Sequence, residues 1–112
     1  MKLPQEGMLL RIFIGEADTY DGKALYEQIV LKARECNLAG ATVTRGILGF
    51  GASSRMHSAK LLRLSMDLPI IVELVDTEEN LNKLLPFLDE TVTDGLITLE
   101  KVKVIKYRNR QS

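Results

Sequence analysis

Four stretches of the chain have the hydrophobic pattern of β-strands. The first, residues 9–14 (LLRIFI), is almost wholly apolar and stops at Gly15. The others cover residues 41–48, 70–75 and 97–107, each rich in aliphatic or β-branched side chains. Short apolar runs that end at turn residues are typical of buried strands. The pattern therefore predicts four strands.

A first amphipathic helix is predicted over residues 22–36. Its apolar side chains recur at intervals of four, four and three, which places them on one helical face: Leu25, Ile29, Ala33 and Cys36. Asp21 is the predicted N-cap, and Asn37 and Gly40 are stop signals. We expect Cys36 to be a small core residue because it falls on this apolar face.

A second helix is predicted after Thr77, which can cap its first turn. Its apolar positions follow the spacing i, i+3, i+4, i+7: Leu81, Leu84, Leu85 and Leu88. Pro86 lies inside this stripe, and proline removes a helical hydrogen bond, so a kink or an early end is expected there.

Residues 51–60 (GASSRMHSAK) show no hydrophobic period and are predicted to form a loop. Loops of this length are disproportionately functional, which makes its polar side chains candidates for a regulatory or partner-binding role. They are Ser53, Ser54, Arg55, His57 and Lys60. Leu62, Leu64 and Met66 then alternate with polar residues, so the chain is expected to re-enter the sheet before residue 67.

The order strand, helix, strand, long loop, strand, helix, strand predicts a ferredoxin-like α+β sandwich in a single domain over residues 1–112. Two helices cover only one face of such an antiparallel sheet. The first and third strands nevertheless carry apolar residues on the other alternation as well, Leu9 and Phe13 in the first strand and Ile71 and Val75 in the third. A wetted face would be more polar, so we expect a homo-oligomer whose sheets pack together.

Composition excludes several classes of function. Lys+Arg and Asp+Glu are balanced at 15 each, and only six Tyr and Phe are present with no Trp, which argues against a nucleic-acid-binding sheet. His57 and Cys36 are the single histidine and cysteine, so no metal site or His–Cys nucleophile is expected within one chain. No apolar run has the ~18 residues of a membrane span, and residues 1–8 lack the apolar middle of a secretory signal, so a cytoplasmic protein is expected.

Glycines and cations form the one chemically suggestive constellation. Gly49-Phe50-Gly51 allows close approach of backbone amides to a ligand, and Asp94-Gly95 offers a second tight turn. Lys106 and Arg108 lie two apart on the last predicted strand and would point to the same side. Amide donors with two cations suit a phosphate group. By itself, however, a GxG is more often a plain strand ending.

A longer motif gives these residues a context. Residues 40–51 (GATVTRGILGFG), the preceding 22–26 (GKALY), and the later Leu68-Pro69 and Val75-Asp76 resemble an uncharacterised family of small prokaryotic proteins, domain of unknown function 190. That family is similar in turn to the nitrogen-regulatory PII signal transducers. The resemblance covers roughly residues 7–108. Ala24 departs from it, since a proline is expected after Gly-Lys.

The PII resemblance implies a trimer with adenine nucleotides in clefts between subunits, and a loop that reports the ligand to a regulated partner such as a membrane transporter. Gly49 and Gly51, with Phe50 between them, match the nucleotide-contacting loop base. Asp94-Gly95 resembles the second glycine loop, and Lys106 with Arg108 the terminal pair of cations. These residues are the predicted nucleotide site, with the nucleotide as ligand and no further cofactor.

The sequence also departs from the PII pattern. The loop over residues 52–60 is short and lacks tyrosine and glutamine, which disfavours uridylylation and 2-oxoglutarate sensing. The turn at residues 93–96 lacks a following lysine, which favours a monophosphate such as AMP over magnesium-ATP. The resulting hypothesis is a non-enzymatic nucleotide sensor.

Two other readings stay open from the sequence alone. One is an acylphosphatase-like hydrolase of the same topology, although Glu16-Ala17-Asp18 puts acidic residues where its phosphate loop would be. The other is a trimeric scaffold or metal-tolerance protein that binds no nucleotide.

Overall fold

The four predicted strands form one antiparallel sheet. The computed structural model describes residues 6–51 and 68–108. Along the chain the elements are β1 (Glu6–Gly15), β2 (Thr19–Tyr20), β3 (Lys23–Ala24), α1 (Leu25–Glu35), β4 (Thr42–Arg45), β5 (Pro69–Asp76), α2 (Glu78–Asn82), α3 (Leu85–Thr91) and β6 (Leu96–Lys103). The strand order in the sheet is β4-β5-β1-β6, so β1 lies between β5 and β6, with Leu10 opposite both Leu74 and Leu99. This is the predicted ferredoxin-like α+β fold.

The core lies between the helices and one face of the sheet. Alternate residues of the two central strands are buried there: Leu10, Ile12, Ile14, Ile70, Val72 and Leu74. They pack with the buried residues of the helical layer: Leu25, Ile29, Ala33, Leu81, Leu84 and Leu88. Burying a side chain of this size contributes roughly 1.5–3 kcal/mol. The apolar stripes predicted for both helices therefore face the core, while Leu85 and Cys36 lie outside its fully buried set.

The start of α1 differs from the sequence prediction. Asp21 and Gly22 form the two-residue turn of a small hairpin between β2 and β3, with positive φ angles of 54° and 75°. Two positive φ angles are what a tight primed hairpin turn requires, and Asp-Gly supplies them. Asp21 is therefore not the N-cap, and the helix begins at Leu25.

α1 ends close to Asn37, the predicted stop signal. Asn37 adopts a left-handed φ of 60°. Its N–H donates to the carbonyl of Arg34 at 3.0 Å, and the next N–H, of Leu38, donates to Ala33 at 3.1 Å. This pair of bonds is a Schellman motif, which satisfies carbonyls at the helix end.

Pro86 divides the second predicted helix. The Thr77 hydroxyl accepts from the Asn80 N–H at 3.1 Å and caps α2, as predicted. α2 ends at Asn82, and Pro86 lies in the first turn of α3, where its missing N–H costs nothing. The outcome is a break, and Leu81, Leu84 and Leu88 still reach the core.

The last strand is shorter than predicted. β6 ends at Lys103, and residues 104–108, the C-terminal strap, leave the sheet. Val104 passes over Gly7 of β1, where an added Cβ would lie only 3.2 Å from its Cγ2. Further on, the Tyr107 hydroxyl donates to the carbonyl of Ala39, just before β4, at 3.0 Å. The strap thus crosses from one edge of the sheet to the other, and Lys106 and Arg108 do not lie on a strand.

The sheet face opposite the helices, the open face, combines apolar residues with one ion cluster. Leu9, Phe13, Ile71 and Val75 are half-buried there. Arg11 between them donates to Glu73 and to Glu100, both at 2.8 Å. The hydrogen bond to Glu73 is the main cause that raises the pKa of Arg11.

Two groups of predicted residues lie outside the described ranges. The first group is the polar loop residues Ser53, Ser54, Arg55, His57 and Lys60. The second is residues 62–66, which are predicted to return to the sheet. None of the helices within residues 6–51 and 68–108 is long and apolar enough to cross a membrane.

Candidate functional site

The two glycine turns, residues 49–51 and 94–95, line one cavity of about 480 Å³ at an end of the sheet. β1 ends there, β5 and β6 begin there, and the chain beyond β4 passes it, so antiparallel topology gathers these segments. We call it the glycine pocket; its lining is Phe13, Ile14, Gly15, Asp18, Gly49, Phe50, Gly51, Pro69, Asp94, Gly95 and Leu96. Five of the seven predicted nucleotide-site residues are therefore neighbours: Gly49, Phe50, Gly51, Asp94 and Gly95.

Two of these glycines lie where the backbone packs tightly. A Cβ on Gly95 would lie 2.6 Å from the carbonyl oxygen of Phe13, and one on Gly49 would lie 3.1 Å from Cγ of Pro69. Neither glycine has a positive φ angle. The close approach of the backbone to β1 and β5 explains both glycines without a ligand.

Gly51 is different. No atom of the described residues lies within 4 Å of a Cβ added there, and its φ is not positive. Neither packing within the described chain nor backbone strain therefore requires glycine at this position. Gly51 is therefore a candidate position for close approach of a ligand or a neighbouring molecule.

Acidic side chains provide the charge of the glycine pocket. Asp18 and Asp94 are the charged residues among the described residues that line it. Oδ2 of Asp18 accepts from the N–H of Gly15 at 2.9 Å, which occupies a backbone donor of the loop after β1. At the same end of the molecule, Arg45 is paired with Glu16. A phosphate in this pocket would therefore need cations from elsewhere.

The strap bounds a second cavity, of about 780 Å³, on the open face. We call it the strap cavity; its lining is Leu9, Ala39, Gly40, Ala41, Thr42, Glu73, Val75, Val102, Lys103, Val104, Ile105, Lys106 and Tyr107. Most of its lining is apolar; the charged members are Lys103, Lys106 and Glu73. Gly40 leaves room on its side of the cavity, since no atom of the described residues lies within 4 Å of a Cβ added there.

The strap cavity and the glycine pocket lie at opposite ends of the sheet. β6 starts beside Gly95 and runs eight residues to Lys103. At about 3.4 Å per residue this strand alone spans roughly 25 Å. Lys106 lines the strap cavity, and within the described chain Arg108 lines neither of these two cavities. A single subunit therefore does not bring the two predicted cations to the glycine turns.

The sequence reasoning missed Ala39 and Tyr107. Ala39 donates its N–H to Oδ2 of Asp76 at 2.8 Å and accepts from Tyr107 through its carbonyl at 3.0 Å. Tyr107 was placed on the last predicted strand, and nothing local in the sequence signals a contact with a residue 68 positions away. Gly40 belongs to the quoted motif and is predicted as a helix stop signal, with no part in a binding site.

Known proteins resemble this chain in sequence. The family model described as DUF190, uncharacterized ACR, COG1993, matches residues 7–104. A UPF0166 protein of Aquifex aeolicus is 42% identical over 99 residues, which cover 87% of this chain and 91% of the relative. A UPF0166 protein of Methanocaldococcus jannaschii is 37% identical over 99 residues, covering 88% and 91%.

Solved structures resemble it in fold. CPII from Thiomonas intermedia K12, bound to ADP and bicarbonate, matches with a TM-score of 0.61 and 17% identity over 90% of each chain. The same protein, a nitrogen regulatory PII-like protein, bound to ADP, AMP and bicarbonate, matches with a TM-score of 0.60 and 19% identity over 90% of each chain. The fold of this chain is therefore PII-like.

Proposed function

The chain belongs to the DUF190 family, and from this membership and its PII-like fold we propose that it is a cytoplasmic, trimeric, non-enzymatic signalling protein. It binds an adenine nucleotide, AMP or a similarly small one, in clefts between subunits. The observation that carries the proposal is the separation of amides and cations: the glycine turns and Lys106 lie at opposite ends of one sheet. A neighbouring subunit can unite them, because a head-to-tail ring brings the strap of one copy to the glycine pocket of the next.

The open face supports self-association. It holds the half-buried residues Leu9, Phe13, Ile71 and Val75, and the strap crosses it only at the end where Leu9 and Val75 line the strap cavity. An apolar sheet face of this kind favours burial against another protein surface. A second copy of the chain, packed through this face, would bury it.

Each half of the cleft suits one part of a nucleotide. The apolar walls of the strap cavity, Leu9 and Val75 among them, suit a planar base. The Gly51 region offers backbone approach to a phosphate, while Lys106 and Arg108 of a neighbouring copy would supply the positive charge. Leu96 follows Gly95 where the PII pattern has a lysine, so fewer cations are available and a monophosphate is favoured. CPII, which shares the fold, has been solved with ADP and AMP.

The loop after β1 supports a binding protein over an acylphosphatase-like hydrolase. Such an enzyme needs free backbone donors and an arginine there, whereas the Gly15 N–H is already donated to the Asp18 carboxylate. Arg45 at the same end is paired with Glu16. The reporting role of residues 51–60 toward a partner stays a prediction from the sequence.

A subunit-mixing experiment tests the proposal. Gly51→Asp places a carboxylate in the glycine pocket, and Arg108→Ala removes a strap cation; each variant alone should bind AMP at least tenfold more weakly than the unchanged protein. When the two variants are co-folded in equal amounts, pocket and strap meet unaltered in about a quarter of the clefts of a cyclic trimer. Isothermal titration calorimetry should then recover high-affinity AMP binding at about that stoichiometry.

Controls separate the possible failures. Arg34→Ala removes an exposed cation of α1 and should leave AMP affinity unchanged. Light scattering gives the subunit number of every sample. An unchanged protein that binds neither AMP nor ADP, or that is monomeric, refutes the proposed function. Normal binding by the parent without recovery in the mixture refutes the shared cleft.

A further inference from the structure

The strap is held to the rest of the chain at two described points. Val104 packs over Gly7 of β1, and the Tyr107 hydroxyl donates to the carbonyl of Ala39 at 3.0 Å. Tyr107 is half-buried, while Lys106 and Arg108 on either side of it are exposed. Ile105, between the two points, is 84% exposed. The tyrosine thus faces inward and its two cationic neighbours face outward.

The acceptor of this hydrogen bond is itself fixed. The N–H of Ala39 donates at 2.8 Å to Oδ2 of Asp76, a residue with no exposed surface. The other oxygen of Asp76 accepts from the Thr77 N–H at 2.7 Å and from Nδ2 of Asn80 at 2.9 Å. A fully buried, multiply bonded carboxylate is a rigid anchor. Tyr107 therefore fastens the strap to the best-fixed part of the α1–β4 connection.

We propose that Tyr107 is a positioning residue for the nucleotide phosphate: its hydrogen bond to Ala39 holds Lys106 and Arg108 in the geometry in which they reach the glycine pocket of the adjoining subunit. This inference rests on the proposed function, and it assigns the tyrosine a role through the two cations and no contact with the ligand. Long cationic side chains lose much rotamer entropy when they bind a ligand. If their backbone is already held in place, the total conformational entropy lost on binding is smaller.

The chain supplies a matched control for the test. Tyr20 also donates its hydroxyl, to Glu90 at 2.7 Å, and packs its ring edge-on against Phe87 with centroids 5.8 Å apart. Tyr107→Phe and Tyr20→Phe therefore delete the same atom and one comparable hydrogen bond each, and only the first lies on the strap. Both variants keep their ring, so trimer size should be unchanged and the melting temperature should fall by a similar, small amount in the two.

Binding of AMP and of adenosine distinguishes positioning from a merely structural effect. Tyr107→Phe should weaken AMP binding about three- to tenfold, because binding must then supply the ordering of the strap that this one hydrogen bond supplies in the parent protein. It should leave adenosine affinity unchanged, since adenosine has no phosphate for the cations. Tyr20→Phe should change neither. In an Arg108→Ala, Lys106→Ala background, the Tyr107→Phe effect on AMP should vanish.

Each other outcome has a definite meaning. Equal losses for AMP and adenosine, or an undiminished Tyr107→Phe effect without the two cations, overturn the positioning role. If Tyr107→Phe binds AMP as tightly as the parent protein, the positioning role is also overturned, but the proposed function is unaffected. If the parent protein binds no AMP at all, the proposed function fails first, and this is visible before any variant is made.

Discussion

Replacement of Asp76 tests how much of the fold depends on one buried carboxylate. Its two oxygens accept three hydrogen bonds, from Ala39, Thr77 and Asn80, at 2.7–2.9 Å. They join the end of β5 and the start of α2 to the chain that leads into β4. Asp76→Asn keeps the shape of the side chain but offers one acceptor oxygen in place of two. The new amide group would then face one of the existing donors.

The expected loss follows from these contacts. A hydrogen bond to a charged group contributes about 1.5–3 kcal/mol, and a buried donor left without an acceptor costs about 1–3 kcal/mol. If one of the three bonds is lost, Asp76→Asn should lower the free energy of unfolding by about 2–4 kcal/mol. Asp76→Ala, which leaves all three donors without this acceptor, should cost more. Domains of this size have only about 5–15 kcal/mol in total.

Urea denaturation followed by far-ultraviolet circular dichroism measures the loss. Asp89→Asn is the matched control, since Asp89 is exposed on α3, and it should stay within about 0.5 kcal/mol of the parent protein. The m-value should be unchanged if only stability differs. An Asp76→Asn protein as stable as Asp89→Asn would refute the claim that this carboxylate anchors the chain before β4.

Three further outcomes are expected. Gly95→Ala should lower the free energy of unfolding by about 1–3 kcal/mol in chemical denaturation, because its Cβ would press on a β1 carbonyl. Gly51→Ala should leave stability within about 0.5 kcal/mol and weaken AMP binding in calorimetry. Equal stability losses in the two variants would contradict the packing argument. Asp94→Asn should strengthen AMP binding about two- to fivefold at low salt by removing a nearby negative charge, and weaker binding would show that the carboxylate helps. The hydrogen bond to Glu90 raises the pKa of Tyr20 above its ordinary 10.0. Its contribution to stability is therefore present below pH 10 and is lost as pH rises through the raised pKa; an absorbance titration that Glu90→Gln leaves unchanged would disprove this.

The sequence pattern predicted the sheet and the core because those depend on periodicity. Short apolar runs at residues 9–14 and 70–75 identified β1 and β5, and the spacing of Leu25, Ile29 and Ala33 identified the buried side of α1. The hairpin before α1 was missed because strands of two residues are too short to show a period. Asp-Gly suits both a helix cap and a hairpin turn, and only the pairing of Thr19 with Ala24 decides between them.

The candidate site was predictable to the extent that topology determines it. Gly49 and Gly95 come together because Gly49 follows β4 and Gly95 precedes β6 at the same end of the sheet. The strap was not predictable in this way. Its alternation continues that of β6, and its departure depends on Val104 meeting Gly7 and on Tyr107 reaching Ala39, both contacts distant in sequence.

The position of β1 in the sheet has a consequence for synthesis on the ribosome. Its neighbours on both sides, β5 and β6, are translated after it, and Arg11 and Glu100, which meet across β1 and β6, are 89 residues apart. The central strand therefore leaves the exit tunnel with both hydrogen-bonding edges bare and waits for nearly the whole chain. Such exposed edges invite aggregation, and pairings this distant fold slowly. Recombinant yield should consequently depend on elongation speed and chaperone supply more than the modest size of the chain suggests.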